Sequence, residues 1–208
     1  MRARTLALVA AVLLISACAT VAPPVVPPAP DGDTGREPVA AWTRVLERFV
    51  DAQGRVDFDG LARERTDLDR YVAWIYRTGP NNRPELFPTR DHVLAYHLNA
   101  YNALAMYNVL DSGVPATLAG ANKLGFFVLR RVQVGGISMS LYAYENDVIR
   151  PLGEPRVHFA LNCMSVGCPR LPREPFGADQ LDGQLDRETR YFFGEPRNVR
   201  VDRATRTL

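Results

Sequence analysis

The chain is poor in cysteine, nearly without lysine, and has no long apolar run beyond its amino-terminal segment. Three cysteines in 208 residues are too few to staple a small disulfide-built domain. The lack of further apolar runs excludes a polytopic membrane protein. Lys123 is the only lysine, so arginine supplies every other basic side chain. Acids nearly match bases, 23 against 25, which leaves no strong positive field and no argument for nucleic acid. With 47% apolar and 23% charged residues, the chain has the balance of a folded globular protein, not a disordered one.

What is present begins with Met1 to Ala17: two arginines, an apolar run too short for a comfortable span, then small residues. That is the layout of a secretory signal. Ile15-Ser16-Ala17-Cys18 resembles the bacterial lipobox, which implies cleavage before Cys18, a diacylglyceryl thioether on its sulfur and an acylated amino terminus. Several acyl chains anchor a protein stably. Ala19 stands where the pattern places aspartate for inner-membrane retention, so the expected location is the periplasmic face of the outer membrane. The partner implied is the membrane itself, through the lipid on Cys18. Loss of residues 1–17 removes Arg2 and Arg4 and no acid, leaving basic and acidic side chains equal in number. Residues 18–38 are rich in proline and read as an extended spacer that holds the body off the membrane.

The body, 39–208, has the size of one domain and no internal repeat. Helical spacing predicts Ala41–Asp51, Leu61–Arg77 and Ala178–Phe193, and a long, largely apolar helix over Asp91–Ser112 capped by Thr89 or Asp91 and ended by Gly113. Such a helix is buried on most sides. Asn99 and Asn102 share one of its faces and are expected to tie loops to it, with a binding role as the alternative. Strands are predicted over Phe126–Val134, turning at Gly135-Gly136 into Ile137–Leu141, and over Val157–Asn162. A short helix, Leu141–Ile149, carries Glu145, and a final hairpin starts at Val199–Val201. Asp51, Asp57 and Asp59 with Gly60 lack the spacing of a calcium loop. The fold class is therefore α+β: a single domain, several helices on a small, mainly antiparallel sheet.

One segment, Gly153 to Pro172, carries chemistry. As a strand, Val157–Asn162 places His158 and Asn162 on a polar face and continues Cys163 toward the core. With Cys18 consumed by lipid, Cys163 and Cys168 form an even pair in an oxidising compartment, so a disulfide comes first. Second comes Cys168 as a nucleophile activated by His158, with Asn162 or Glu145 orienting the imidazole. Third is zinc on His158 and the cysteines, with His92 and His97 upstream; the ligand spacing is poor, and no metal or other cofactor is demanded by any motif. His158, Asn162 and Cys168 are expected to converge on a cleft beside Glu145, Arg150 or Arg156.

Leu98–Leu104 (L-N-A-Y-N-A-L), Ser140–Pro151 and Pro155–Leu171 resemble the signature blocks of the domain-of-unknown-function family 547, over most of the chain from about Trp42. The resemblance implies functional weight at Asn99, Tyr101, Asn102, Glu145, Arg150, Arg156, His158, Asn162, Cys163 and Cys168. Fusion of some members to glutaredoxin-like domains implies thiol chemistry. Tyr96-His97 stand where the family commonly has an aromatic pair. The family pattern continues beyond Leu208, so the chain reads as carboxy-terminally truncated. The expected function is an envelope lipoprotein acting as a thiol-dependent hydrolase or transferase through a Cys/His pair, on a small-molecule or peptide ligand. The alternative is a non-catalytic periplasmic binding module with a structural disulfide.

Lipidation has a direct test. Cys18→Ser is expected to leave the leader uncut and the chain out of the lipoprotein detergent phase. A wild-type amino-terminal peptide without the diacylglyceryl mass would refute the assignment.

Overall fold

The computed structural model describes residues 20–27, 34–118 and 120–199. The signal segment, Cys18 and all of the expected final hairpin after Val199 lie outside them. Helix α1 (Arg36–Phe49) buries Ala41, Trp42, Val45, Leu46 and Phe49, one stripe at helical spacing. The helix expected over Leu61–Arg77 is two helices, α2 (Phe58–Arg63) and α3 (Thr66–Arg77). Asp57 starts the first by accepting the Gly60 amide at 2.9 Å. A Cβ on Gly60 would lie 2.3 Å from the Asp57 carboxylate, so the cap requires glycine there. Asp51 and Asp57 are thus turn and cap residues: Asp51 accepts the amides of Gln53 and Arg55, each at 2.9 Å.

Helix α4 (Arg90–Asp111) runs through the middle of the domain, buried on all sides from Leu94 to Leu110. Thr89 caps it by accepting the His92 amide, and Gly113 ends it with φ 74°. Helix α3 packs between α1 and α4. Aromatic rings line these contacts in an unbroken series, Trp42–Tyr71–Trp74–Tyr96–His97–Tyr144–Tyr101, with neighbouring centroids 5.1 to 6.2 Å apart.

After α5 (Ala121–Leu124) the chain makes a wide helical turn over Gly125–Leu129, where a strand was expected; strand β1 covers only Val132–Val134. Asn108 of α4 is the cause. Its side chain donates to the Phe126 carbonyl at 3.2 Å and accepts from Arg130 at 2.6 Å, drawing both ends of the turn onto the helix. The glycine hairpin is as expected: β2 (Ile137–Met139) pairs antiparallel with β1, Val132 opposite Met139. Helix α6 (Leu141–Ala143) opens into a second wide turn, Tyr144–Ile149, and α7 (Leu181–Gly194) closes the described fold. The domain is α+β, with its helices packed against a small antiparallel sheet. No described helix is long and apolar enough to cross a membrane.

The start of the described chain belongs to this body. Val21 is a core residue, 1% exposed, and its amide donates to the Arg131 carbonyl at 2.8 Å. Thr20 forms a parallel bridge with Arg131 at the edge of β1. Tyr76 and Tyr107 donate hydroxyls to the Val21 and Ala22 carbonyls at 2.9 and 3.1 Å.

Asn99 and Asn102 act as tethers. Asn99 takes both polar groups of Phe176, donating at 2.8 Å and accepting at 2.9 Å, and also accepts from the Trp42 indole at 3.3 Å. Asn102 donates to the Ala160 carbonyl at 3.0 Å and accepts the Asn162 amide at 2.8 Å. Asn102→Ala orphans both backbone groups in a buried setting. The expected loss of unfolding free energy is about 2–4 kcal/mol, read by denaturant titration, against well under 1 kcal/mol for a surface control such as Asn146→Ala.

Candidate functional site

Pro155–Phe159 is a tight helical turn, which corrects the expected strand over Val157–Asn162. Pro155 suits the first position of a turn, and Glu154 caps it by accepting the Arg156 amide at 3.0 Å. Two-residue alternation therefore does not apply. His158 is exposed, and its side chain makes no hydrogen bond or ion pair with another described residue. Asn162 is buried, and its side chain is spent on backbone: it donates to the Pro169 carbonyl and accepts the Met164 amide, both at 2.7 Å. Arg156 spans Glu154, Asp182 and Asp186 at 2.6 to 2.8 Å and so clamps the turn to α7. These carboxylates raise the guanidinium pKa, and Arg156 holds Glu154 down at about 2.

Cys163 and Cys168 are disulfide-bonded, Cα atoms 5.9 Å apart. The bridge clasps the Met164–Gly167 loop from outside while Asn162 ties it from within, and Ser165 Oγ lies 3.3 Å from both sulfurs. Cys163 is half-buried, not directed into the core as expected. The two cysteines face different hollows. Cys168 lines a recess of about 210 Å³ with Asn162, Arg55, Arg170 and Arg197. Cys163 lines a cleft of about 620 Å³ with Tyr101, Lys123, Phe127, Tyr142, Glu145 and Arg150. A neighbouring hollow of about 500 Å³ shares Lys123, Phe127 and Cys163 and adds Leu118, Met164 and Val166. His158 is in none of these, so the expected meeting of His158, Asn162 and Cys168 does not occur.

The larger cleft is the candidate site. Its floor is the Glu145 carboxylate, held by Arg150 at 2.6 Å and by the Tyr101 hydroxyl at 3.3 Å. Burial, then Glu145, push the Tyr101 pKa up, so the hydroxyl remains a donor. Lys123 stands at the junction of the two hollows and makes no side-chain hydrogen bond or ion pair with a described residue. Around it Leu124, Val128, Tyr142 and Val166 are 41 to 87% exposed. Glu145 and Arg150, both expected as site residues, lie together in this cleft. Lys123 was visible as the single lysine, whereas Leu124, Phe127, Val128 and Tyr142 carried no motif. Among the described residues no three His, Cys, Asp or Glu side chains could share a metal ion.

The family model described as "Protein of unknown function, DUF547" matches residues 86–193, more than half of the chain. The protein belongs to this family. The match begins well after Trp42, where the resemblance was placed, and it includes the long central helix, the disulfide loop and every residue that lines the cleft. No curated protein and no solved structure matches the chain.

His97 lies outside the cleft, buried on α4 with Nδ1 2.8 Å from the Tyr144 hydroxyl and its ring between Tyr96 and Tyr144. Burial lowers its pKa to about 4. The unfolded chain therefore binds a proton that the fold rejects between pH 6.5 and 4. The neutral imidazole's contribution is present above that window and lost as pH falls through it. Between pH 7.5 and 5 stability should drop by about 2 kcal/mol from this group. Denaturant curves at the two pH values check this, and His97→Gln should flatten the difference.

Proposed function

We propose that the protein is an outer-membrane lipoprotein of the periplasmic face whose domain binds a small amphiphilic acid without catalysing its reaction. The observation that carries the binding reading is the placement of Lys123. The chain's single lysine lies between two hollows whose rims hold the exposed apolar residues Leu124, Val128, Tyr142 and Val166. Volumes of about 620 and 500 Å³ suit small ligands. Arg150 is already matched by Glu145, so among the described residues of the cleft the unmatched charge is that of Lys123, and it selects an anionic group while the rim takes an apolar body. The lipobox-like segment supports the anchor, and an oxidising compartment agrees with the Cys163–Cys168 bridge.

One observation favours a second reading, a thiol-dependent hydrolase or transferase: Cys163 lines the same cleft as Glu145 and Lys123. That activity requires a reductant, such as an exogenous dithiol, to open the bridge first. It moves the nucleophile from Cys168 to Cys163 and gives His158 no part.

Two fluorophores separate the readings' premises. Anilinonaphthalene sulfonate is anionic, and N-phenyl-1-naphthylamine is its neutral counterpart. Lys123→Glu should weaken binding of the first at least tenfold and leave the second within twofold. Equal effects on both, or no binding of either, overturn the amphiphile site. Thiol titration of the native protein should find Cys163 and Cys168 unreactive; a free, fast-reacting thiol turns the assignment to the enzyme.

A further inference from the structure

Another hollow, of about 280 Å³, lies against one face of α4, where His92, Ala95, Tyr96 and Asn99 fall at helical spacing. It shares no residue with the cleft or with the hollow beside the cleft. Its walls are aromatic. Trp74 of α3, Phe87 and Tyr96 meet as a corner, ring centroids 4.7 to 6.4 Å apart, and Phe87 is half-buried. Asn99 is spent on Phe176 and Trp42, and the Tyr96 hydroxyl on the Thr78 carbonyl at 2.5 Å. Two polar groups are not spent. The first is the Tyr71 hydroxyl. Tyr71 is 1% exposed, yet its hydroxyl makes no hydrogen bond with another described residue. Trp42 and Trp74 stack on the Tyr71 ring at 5.5 and 5.8 Å, which leaves the ring's edge, where the hydroxyl sits, to reach the hollow. Burial raises its pKa, so it remains a donor. A buried donor without a partner is unfavourable, and an acceptor on a ligand would relieve it. The second is Asp179, exposed at the rim, with no side-chain hydrogen bond or ion pair to a described residue. Among the described residues no arginine or lysine lines the hollow, so its charge is that of Asp179.

We propose that this hollow binds a monocyclic aromatic amine. The ligand's ring packs against Trp74, Phe87 and Tyr96, a polar ring substituent accepts from the Tyr71 hydroxyl, and the ammonium group pairs with Asp179. Aromatic walls favour a ring in edge-to-face or offset contact, and they also favour a cation close by. The ligand's charge is opposite to the one Lys123 selects in the cleft, and neither site depends on the other.

Tyramine is the probe, titrated calorimetrically into the purified full chain at pH 8 and low salt. Phenethylamine lacks only its hydroxyl, and 4-hydroxyphenylacetate carries a carboxylate in place of its ammonium. Tyramine should fill one saturable site, with the acid about tenfold weaker or worse. Tyr71→Phe should weaken tyramine about fivefold and leave phenethylamine within about twofold. Because the hydroxyl has no partner in the described protein, the same substitution should leave the melting temperature unchanged or raised. Asp179→Asn should weaken both amines about threefold, and less at high salt. Neither Tyr71 nor Asp179 lines the cleft, so these responses stand or fall apart from the amphiphile reading. No saturable tyramine binding, equal loss of both amines in Tyr71→Phe, or amine affinities unmoved by Asp179→Asn overturns the site. A melting temperature lowered by Tyr71→Phe shows that the hydroxyl is held by the protein itself, and overturns it too.

Discussion

The fold depends on a single device repeated along its central helix: an asparagine amide that stands in for a peptide group. Helix α4 is surrounded by other parts of the chain, so its polar side chains must find partners inside the protein. Asn99 meets the Phe176 backbone, Asn102 meets Ala160 and Asn162, and Asn108 meets Phe126 and the Arg130 side chain. Each amide has one donor edge and one acceptor edge, and each segment presents the complementary pair. Irregular chain can therefore lie against a helix with its own hydrogen bonds satisfied, without a sheet to supply them. The disulfide loop, the wide turn before β1 and the entry to α7 are all positioned this way.

Much of this was legible from residue type. The apolar circumference of Asp91–Ser112 announced a buried helix, and asparagine there announced a tether, because an unpaired amide would cost about 1–3 kcal/mol per group. The hairpin followed from Gly135-Gly136, both with positive φ. What failed were readings that treated alternation as local. Val157–Asn162 alternates on paper, but Pro155, the Glu154 cap and the pull of Asn102 from far along the chain make it a turn. Phe126–Leu129 is apolar enough for a strand, yet Asn108 coils it. The cysteines were correctly paired by compartment and count, whereas which hollow each sulfur faces depends on the loop's path and leaves no trace in spacing.

Charge plays a second, narrower part. Helix α7 is held by ion pairs that are far from equivalent in setting. Glu188 is wholly enclosed, receives both Arg170 and Arg187, and Arg170 stacks over the Tyr191 ring at 3.7 Å. Removing either arginine would leave a carboxylate out of water with fewer donors, a larger penalty than loss of a surface pair. Arg156 does the corresponding work at the rim, where its acids are more open to solvent. Arginine suits this use better than lysine, since a planar fork can serve two or three carboxylate oxygens together. The chain's nearly exclusive choice of arginine matches that role and makes its lone lysine conspicuous.

The docked segment at Val21 also redraws where the domain begins. A chain shortened to start at Val39, the boundary that composition invites, loses the first turn of α1 and empties the slot against Tyr76, Tyr107 and β1. It then offers an apolar groove beside an unpaired strand edge, the combination that invites self-association. Soluble production of the body without its leader should retain residues 20–38; trimming them as flexible tail would convert a closed core into an adhesive one.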